Sequence, residues 1–253
     1  MKYIAAAQTD AGISKNINED SVLIKHVKCS LGEMILAVVC DGVGGLDKGE
    51  LASATVVREF SKWFDEELPF ELENFDMQII EKKWLELIKD INVKMLEYGY
   101  KSGKRIGTTF TGLFIANNEY MIAHVGDTRV YYINTSIKQL TIDQTLVAKE
   151  IRRGTLTLEE AKTDKRRNII LQCVGASSTV EPDIIQGICE KGVYMLCSDG
   201  FRHEITEDEM YKFLNPKNLI NKETMYSNIQ YLIDENKRRR EKDNISAILI
   251  KAY

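Results

Sequence analysis

The most constraining stretch of the chain is Met34-Ile-Leu-Ala-Val-Val-Cys40, which ends abruptly at Asp41-Gly-Val-Gly-Gly45. Seven residues with no polar side chain on either alternation face describe a strand covered on both sides. A protein containing it must therefore have layers above and below that strand. The glycine-rich turn that follows frees the backbone just where an aspartate emerges from the buried layer.

The surrounding pattern shows what those layers are. Lys2 to Thr9 and Ser21 to Val27 read as strands, with a turn at Ser30-Leu31-Gly32-Glu33. Thr108 to Ala116 and Glu119 to Val125 form a hairpin about Asn117-Asn118, and Arg129 to Ile133 follows the turn Gly126-Asp127-Thr128. Further strands are expected at Asp183 to Cys189, Gly192 to Cys197 and Ile245 to Ile250. Helices are expected over Gly49 to Trp63, Asp76 to Tyr98, Thr206 to Phe213 and Glu223 to Asn236. Ile79, Ile80, Trp84, Leu87, Ile88, Ile91 and Met95 form the core stripe of the second of these. Strands in hairpins with helices in separate blocks indicate an α+β fold. From Ile142 to Asn168 the chain is charged, with short helical pieces broken at Gly154, as in a surface flap. With 253 residues, three prolines and no Gly/Ser-rich linker, a single domain over 1–253 is expected.

Composition removes several function classes. The net charge is -4, with basic residues spread along the chain, which gives no footprint for nucleic acid. The one basic run, Lys237-Arg-Arg-Arg240, is flanked by Glu235, Glu241 and Asp243 and reads as a solvated helix end. No apolar run approaches the roughly 18 residues of a membrane span, and no signal peptide is evident. Cys29, Cys40, Cys173, Cys189 and Cys197 are odd in number and lack CxxC spacing, so reduced thiols in a cytoplasmic protein are expected. A monomer is the default expectation, since no long coiled-coil pattern is present. There is no Gly-Lys-Ser/Thr phosphate loop, GxSxG or HExxH, and only three histidines, His26, His124 and His203.

What remains is a set of aspartates at strand ends and tight turns: Asp20 in NED, Asp41 in CDGVGG, Asp127 in VGDTR, Asp199 in CSDG and Asp243 in DN. Carboxylates brought together from strand ends repel one another unless cations neutralise them. An all-oxygen donor set favours hard ions such as Mg²⁺ or Mn²⁺.

In order, Thr9-Asp-Ala-Gly12, Asn18-Glu-Asp20, Asp41-Gly-Val-Gly-Gly45, Gly107-Thr-Thr109, Gly126-Asp-Thr-Arg129, Ser198-Asp-Gly200 and Asp243-Asn244 resemble the protein phosphatase 2C family of metal-dependent serine/threonine phosphatases. Leu140 to Asp143, Ile151 to Gly154, Glu159 to Ala161 and Arg167-Asn168 before Gly175 are similar to its compact bacterial branch. The resemblance implies a four-layer α-β-β-α sandwich of two antiparallel sheets flanked by helices. It also implies a centre of two Mn²⁺ or Mg²⁺ ions, with Asp41 bridging both and Gly42 offering its carbonyl. Asp20 would hold ligand waters, Asp199 and Asp243 would coordinate, Asp127 would serve a third, weaker ion, and Glu19 would partner a water on a metal. A water activated by both ions would attack phosphorus directly, with no covalent phosphoenzyme.

Lys15 stands where many relatives carry an arginine that grips the substrate phosphate, and is expected to contact it as a point charge. Val43 replaces the histidine of animal and plant members, and Gln144 a histidine common in bacterial relatives; neither is given a catalytic role. His124 is expected to be structural. The implied partners are phosphorylated proteins, including a eukaryotic-type serine/threonine kinase and its substrates. The alternatives are a catalytically silent scaffold on the same fold and a phosphatase for small phosphoesters.

Overall fold

A computed structural model describes residues 1–253. Ten strands form two antiparallel sheets of five. The first comprises β2 (Ser21–Cys29), β3 (Gly32–Cys40), β4 (Phe110–Ala116), β5 (Glu119–Val125) and β8 (Asp183–Ile188), in that spatial order. The second runs β1 (Tyr3–Asp10), β10 (Ile245–Ala252), β9 (Gly192–Cys197), β6 (Arg129–Ile133) and β7 (Ile137–Gln139). The sequence pattern did not reveal β7, whose three residues are too few for an alternation to stand out.

The helices lie outside both sheets. α1 (Gly49–Lys62) widens into a π-helical turn at Trp63–Glu67 and runs on into α2 (Leu68–Glu71) and then α3 (Met77–Ser102). These elements pack on the first sheet. α4 (Leu146–Arg152) and α5 (Leu158–Thr163) are the short pieces of the charged segment, separated by Gly154 at φ 72°. α6 (Asp199–Arg202), α7 (Glu207–Leu214) and α8 (Lys222–Arg238) cover the second sheet.

The two faces of β3 serve two different cores, as its uniform apolarity requires. Met34, Leu36, Val38 and Cys40 meet Phe60, Trp63, Trp84 and Ile88 of the outer helices. Ile35, Ala37 and Val39 face across to Leu196, Ile248 and Ile250 of the opposite sheet. A third core joins Met195, Ala247 and Leu249 to Met210, Met225 and Ile229 of α7 and α8. Burial on this scale is the dominant stabilising contribution.

Local chemistry sets the boundaries. Asn117 and Asn118 take φ of 49° and 61°, the left-handed pair of a two-residue hairpin turn. α3 begins where the Asp76 side chain accepts from the Gln78 N–H, and ends at Gly103 with φ 67°. Capping boxes at Thr157/Glu160 and Thr206/Glu209 start α5 and α7. In α3 the core stripe is narrower than expected: Ile80, Trp84, Ile88, Ile91 and Met95 are buried, Leu87 is partly covered, and Ile79 is 37% exposed. Ile79 precedes Ile80 by about 100° of helix, which rotates it out of the apolar stripe.

The basic run at the end of α8 is exposed but not free. Lys237 pairs with Asp10, Arg238 with Glu235, and Arg239 with Glu209 and Glu235. All five cysteines are unpaired thiols. No helix is long and apolar enough to cross a membrane.

The consequence for function is positional. β1, β3, β5 and β9 end, and β2, β4, β6 and β10 begin, at one rim of the sandwich. The register Ser21↔Cys40, Phe110↔Val125, Ala247↔Cys197, Arg129↔Cys197 and Asp10↔Ile245 places these ends together within each sheet.

Candidate metal centre

All five aspartates singled out in the sequence lie at this rim. Asp20 immediately precedes β2, Asp41 follows β3, Asp127 follows β5, Asp199 opens α6 just after β9, and Asp243 precedes β10. Asp20, Asp127 and Asp199 are buried. Asp41 lies close enough to Asp20, Asp199, Asp127 and Asp243 for each to oppose its ionisation.

Asp41 is fixed through its backbone. Its N–H donates to Thr109 Oγ1 at 2.9 Å, and its carbonyl accepts from Thr109 N at 2.8 Å and Thr108 Oγ1 at 2.9 Å. The carboxylate is left unencumbered. Gly42 donates its N–H to the Glu19 carbonyl at 3.1 Å. A Cβ at Gly42 would fall 2.6 Å from the Gly49 carbonyl carbon, so this approach tolerates only glycine.

Asp20 is gripped on one oxygen only. Oδ2 accepts from Ser246 Oγ at 2.6 Å and Ser198 Oγ at 2.8 Å, while Oδ1 is buried with no partner. Asp199 shows the same pattern: Oδ2 lies 3.4 Å from His203 Nε2, and Oδ1 is buried and bare. His203 in turn reaches Glu241 Oε2 from Nδ1 at 3.3 Å, and the Glu241 Oε1 accepts from the Asp243 N–H at 2.8 Å. Asn244 joins the pieces, accepting from the Glu19 N–H at 2.9 Å and donating to the Ala11 and Ile17 carbonyls.

Lys15 sits between two acids, 3.2 Å from Glu19 Oε2 and 3.2 Å from Asp243 Oδ1. Burial opposes its charge, but Asp243 and Glu19 outweigh that and hold the ammonium above its usual range.

The electrostatics are strained. Burial pushes Asp20 up to about 7 against its serine hydrogen bonds, with Asp199 and Asp243 adding repulsion. Burial and Asp199 raise Asp127 to about 7, against the pull of Arg202. Asp41 is driven well above the carboxylate range by burial and by its four acidic neighbours. Buried like charges at this density call for a positive countercharge.

No three acidic, thiol or imidazole side chains form a ready-made cage around one point. The donor set fits hydrated hard divalent ions instead: oxygen only, two buried carboxylate oxygens lacking any hydrogen bond, and a glycine carbonyl next to Asp41. Such ions keep several waters and take only one or two carboxylates each.

Several contributors escaped sequence reasoning. Ser198, Ser246 and Asn244 orient the acids, and His203 with Glu241 braces Asp199 and Asp243. Ser198 and Asn244 fall inside quoted motifs, a signal that each faces the site, but their partners lie far along the chain. A second network lies behind Asp127. Arg129 forks onto Asp143 with two bonds of 2.7 Å, and Arg202 donates to the Asp127 carbonyl at 3.2 Å. His124 is structural, bound by Thr111 Oγ1 at 2.9 Å and near the Ile142 carbonyl. Gln144 ties the charged segment to Gly126 and Asp183.

Paired antiparallel sheets with this acidic rim define a metal-dependent phosphatase class, and comparison with known proteins agrees. The family described as Protein phosphatase 2C matches residues 10–232, and the chain belongs to that family. The protein phosphatase PhpP of Streptococcus pneumoniae is 32% identical over 207 residues, 80% of each chain. The serine/threonine phosphatase stp of Listeria monocytogenes is 29% identical over 252 residues, 97% of this chain and 94% of its own. The crystal structure of serine/threonine phosphatase Stp1 from Staphylococcus aureus is 30% identical, with a TM-score of 0.86 over 100% of this chain and 96% of that one.

Proposed function

We propose that this protein removes phosphate from phosphoserine and phosphothreonine on other proteins, using two Mn²⁺ or Mg²⁺ ions held at the acidic rim. The observation that carries the reading is the pair of bare, buried oxygens on Asp20 and Asp199 inside a cluster of mutually repelling carboxylates. Asp41 would be shared by both ions, with the Gly42 carbonyl, Asp20, Asp199 and Asp243 completing the set and Asp127 serving a third. When bound, the ions supply a nucleophilic hydroxide near neutral pH and offset charge on the phosphoryl oxygens.

The chain's own residues do the remaining work. Thr108 and Thr109 hold Asp41 rigidly, and the two serines rotate Asp20 so that its free oxygen faces the centre. Glu19 orients water at the rim. Two of the three Lys15 N–H donors are taken by Glu19 and Asp243, which leaves one for a substrate phosphate oxygen. Segment 142–168 acts as a flap anchored through Asp143 and Gln144. The five thiols take no part. The natural substrates are phosphoproteins of the cytoplasm, with a eukaryotic-type serine/threonine kinase and its targets as the expected set.

The test is hydrolysis of a phosphothreonine peptide and of para-nitrophenyl phosphate with Mn²⁺ and with EDTA. Turnover is expected only with metal, and to be lost in Asp41→Asn and Asp199→Asn. Turnover that persists in EDTA would remove the mechanism. A folded protein inactive with every divalent ion would favour a silent scaffold.

A further inference from the structure

A groove of about 350 Å³ opens at the C-terminal end of α3, between that helix and the loop after the flap. Its walls include Leu96, Tyr100, Lys104, Arg105 and Ala176. Tyr100 is 92% exposed, an amphipathic ring open to solvent. Gly103 leaves the floor open, since a Cβ there would meet nothing within 4 Å.

The charge here is unbalanced. The neighbouring Lys101 pairs with Glu97, but Lys104 and Arg105 have no carboxylate within ion-pair distance. The nearby Asp47 carboxylate is engaged by the Arg105 backbone N–H at 2.7 Å. In a chain of net charge -4, two adjacent cations outnumber the one neighbouring carboxylate, Asp47, and make the groove beside the exposed aromatic a basic one.

The groove is joined to the acidic rim by one strip of backbone. The Arg105 carbonyl accepts from Asp47 N at 2.8 Å, the Gly107 carbonyl from Val43 N at 2.9 Å, and Thr109 N donates to the Asp41 carbonyl at 2.8 Å. Residues 105–109 therefore run alongside the 41–47 loop and end on Asp41. Four residue steps span at most about 13 Å, a separation that about three to five residues of an extended peptide would cover.

Resting on the phosphatase reading, we propose that this groove selects substrates: it receives an acidic segment of the phosphoprotein, about three to five residues from the phosphorylated side chain. Lys104 and Arg105 attract its carboxylates and Tyr100 covers its backbone. The rim requires a phosphate, while the groove decides which phosphoproteins are held long enough to be hydrolysed.

The experiment compares kcat/KM for phosphothreonine peptides that carry Glu or Ala three to five positions from the phosphoresidue, on either side. The native protein and a Lys104→Glu/Arg105→Glu double variant are used, with para-nitrophenyl phosphate as a substrate too small to reach the groove. Two exposed charge contacts support a preference of about tenfold for one acidic peptide at low salt. That preference is expected to shrink toward unity in about 0.5 M NaCl. The double variant should lose or invert it while its para-nitrophenyl phosphate turnover stays within about twofold of the native rate. Equal rates on acidic and neutral peptides, or a preference retained by the double variant, would overturn the proposal alone. No metal-dependent turnover of any substrate would remove the phosphatase reading and this one with it.

Discussion

Replacing Asp20 by asparagine should make the metal-free protein more stable while destroying its activity. In the native chain this carboxyl is raised from 3.8 to about 7 by burial and acidic neighbours. About three pH units at 1.36 kcal/mol each make a ceiling of about 4 kcal/mol of folding energy lost to keeping it ionised at pH 8. Asparagine keeps an oxygen to accept from Ser198 and Ser246, so the serine contacts survive. Because the repulsion is shared with Asp41, Asp199 and Asp243, a gain of about 2–4 kcal/mol is expected, or roughly 5–15 °C in Tm for a chain of this size.

The sign with pH follows from proton uptake. Between 3.8 and about 7 the folded carboxyl holds a proton that the unfolded chain has released. Native stability therefore falls as pH rises through this window. The advantage of Asp20→Asn is full above about pH 7 and vanishes near pH 4. The assay is thermal unfolding in EDTA at pH 8, 6 and 4.5, repeated in excess Mn²⁺, where binding to the native site should reverse the order. An asparagine variant no more stable than the native chain in EDTA at pH 8 would refute the electrostatic reasoning.

Gly42→Ala should cost about 3 kcal/mol in urea unfolding and abolish turnover, because its Cβ meets the Gly49 backbone at 2.6 Å and displaces the Asp41 turn. Arg129→Ala leaves Asp143 without its two-pronged partner and should cost about 3 kcal/mol, read by denaturant midpoint with an unchanged m-value. Lys15→Ala should lower kcat/KM on a phosphopeptide by about tenfold. The Lys15 ammonium is held above its usual value, so its charge persists until pH rises past that of a free lysine, and phosphate inhibition of the native protein should show no lysine titration between about pH 7 and 9.

The linear chain by itself determined the layers and the places where chemistry could occur. Two-faced apolarity in Met34–Cys40 required covering on both sides, and aspartates beside glycines marked strand ends, because side-chain period and turn chemistry are local properties. The motif order was enough to indicate the family. Tertiary structure alone decided which of those ends meet. Ser246 grips Asp20 across 226 positions, and Asn244 reaches back to Glu19 across 225. Such contacts leave no periodic trace, since they are set by strand register between segments that never neighbour each other in the chain. The same holds for the raised pKa values of the rim aspartates. A carboxyl's affinity for its proton depends on who surrounds it in space, and that became legible only when eight strand ends arrived at one edge.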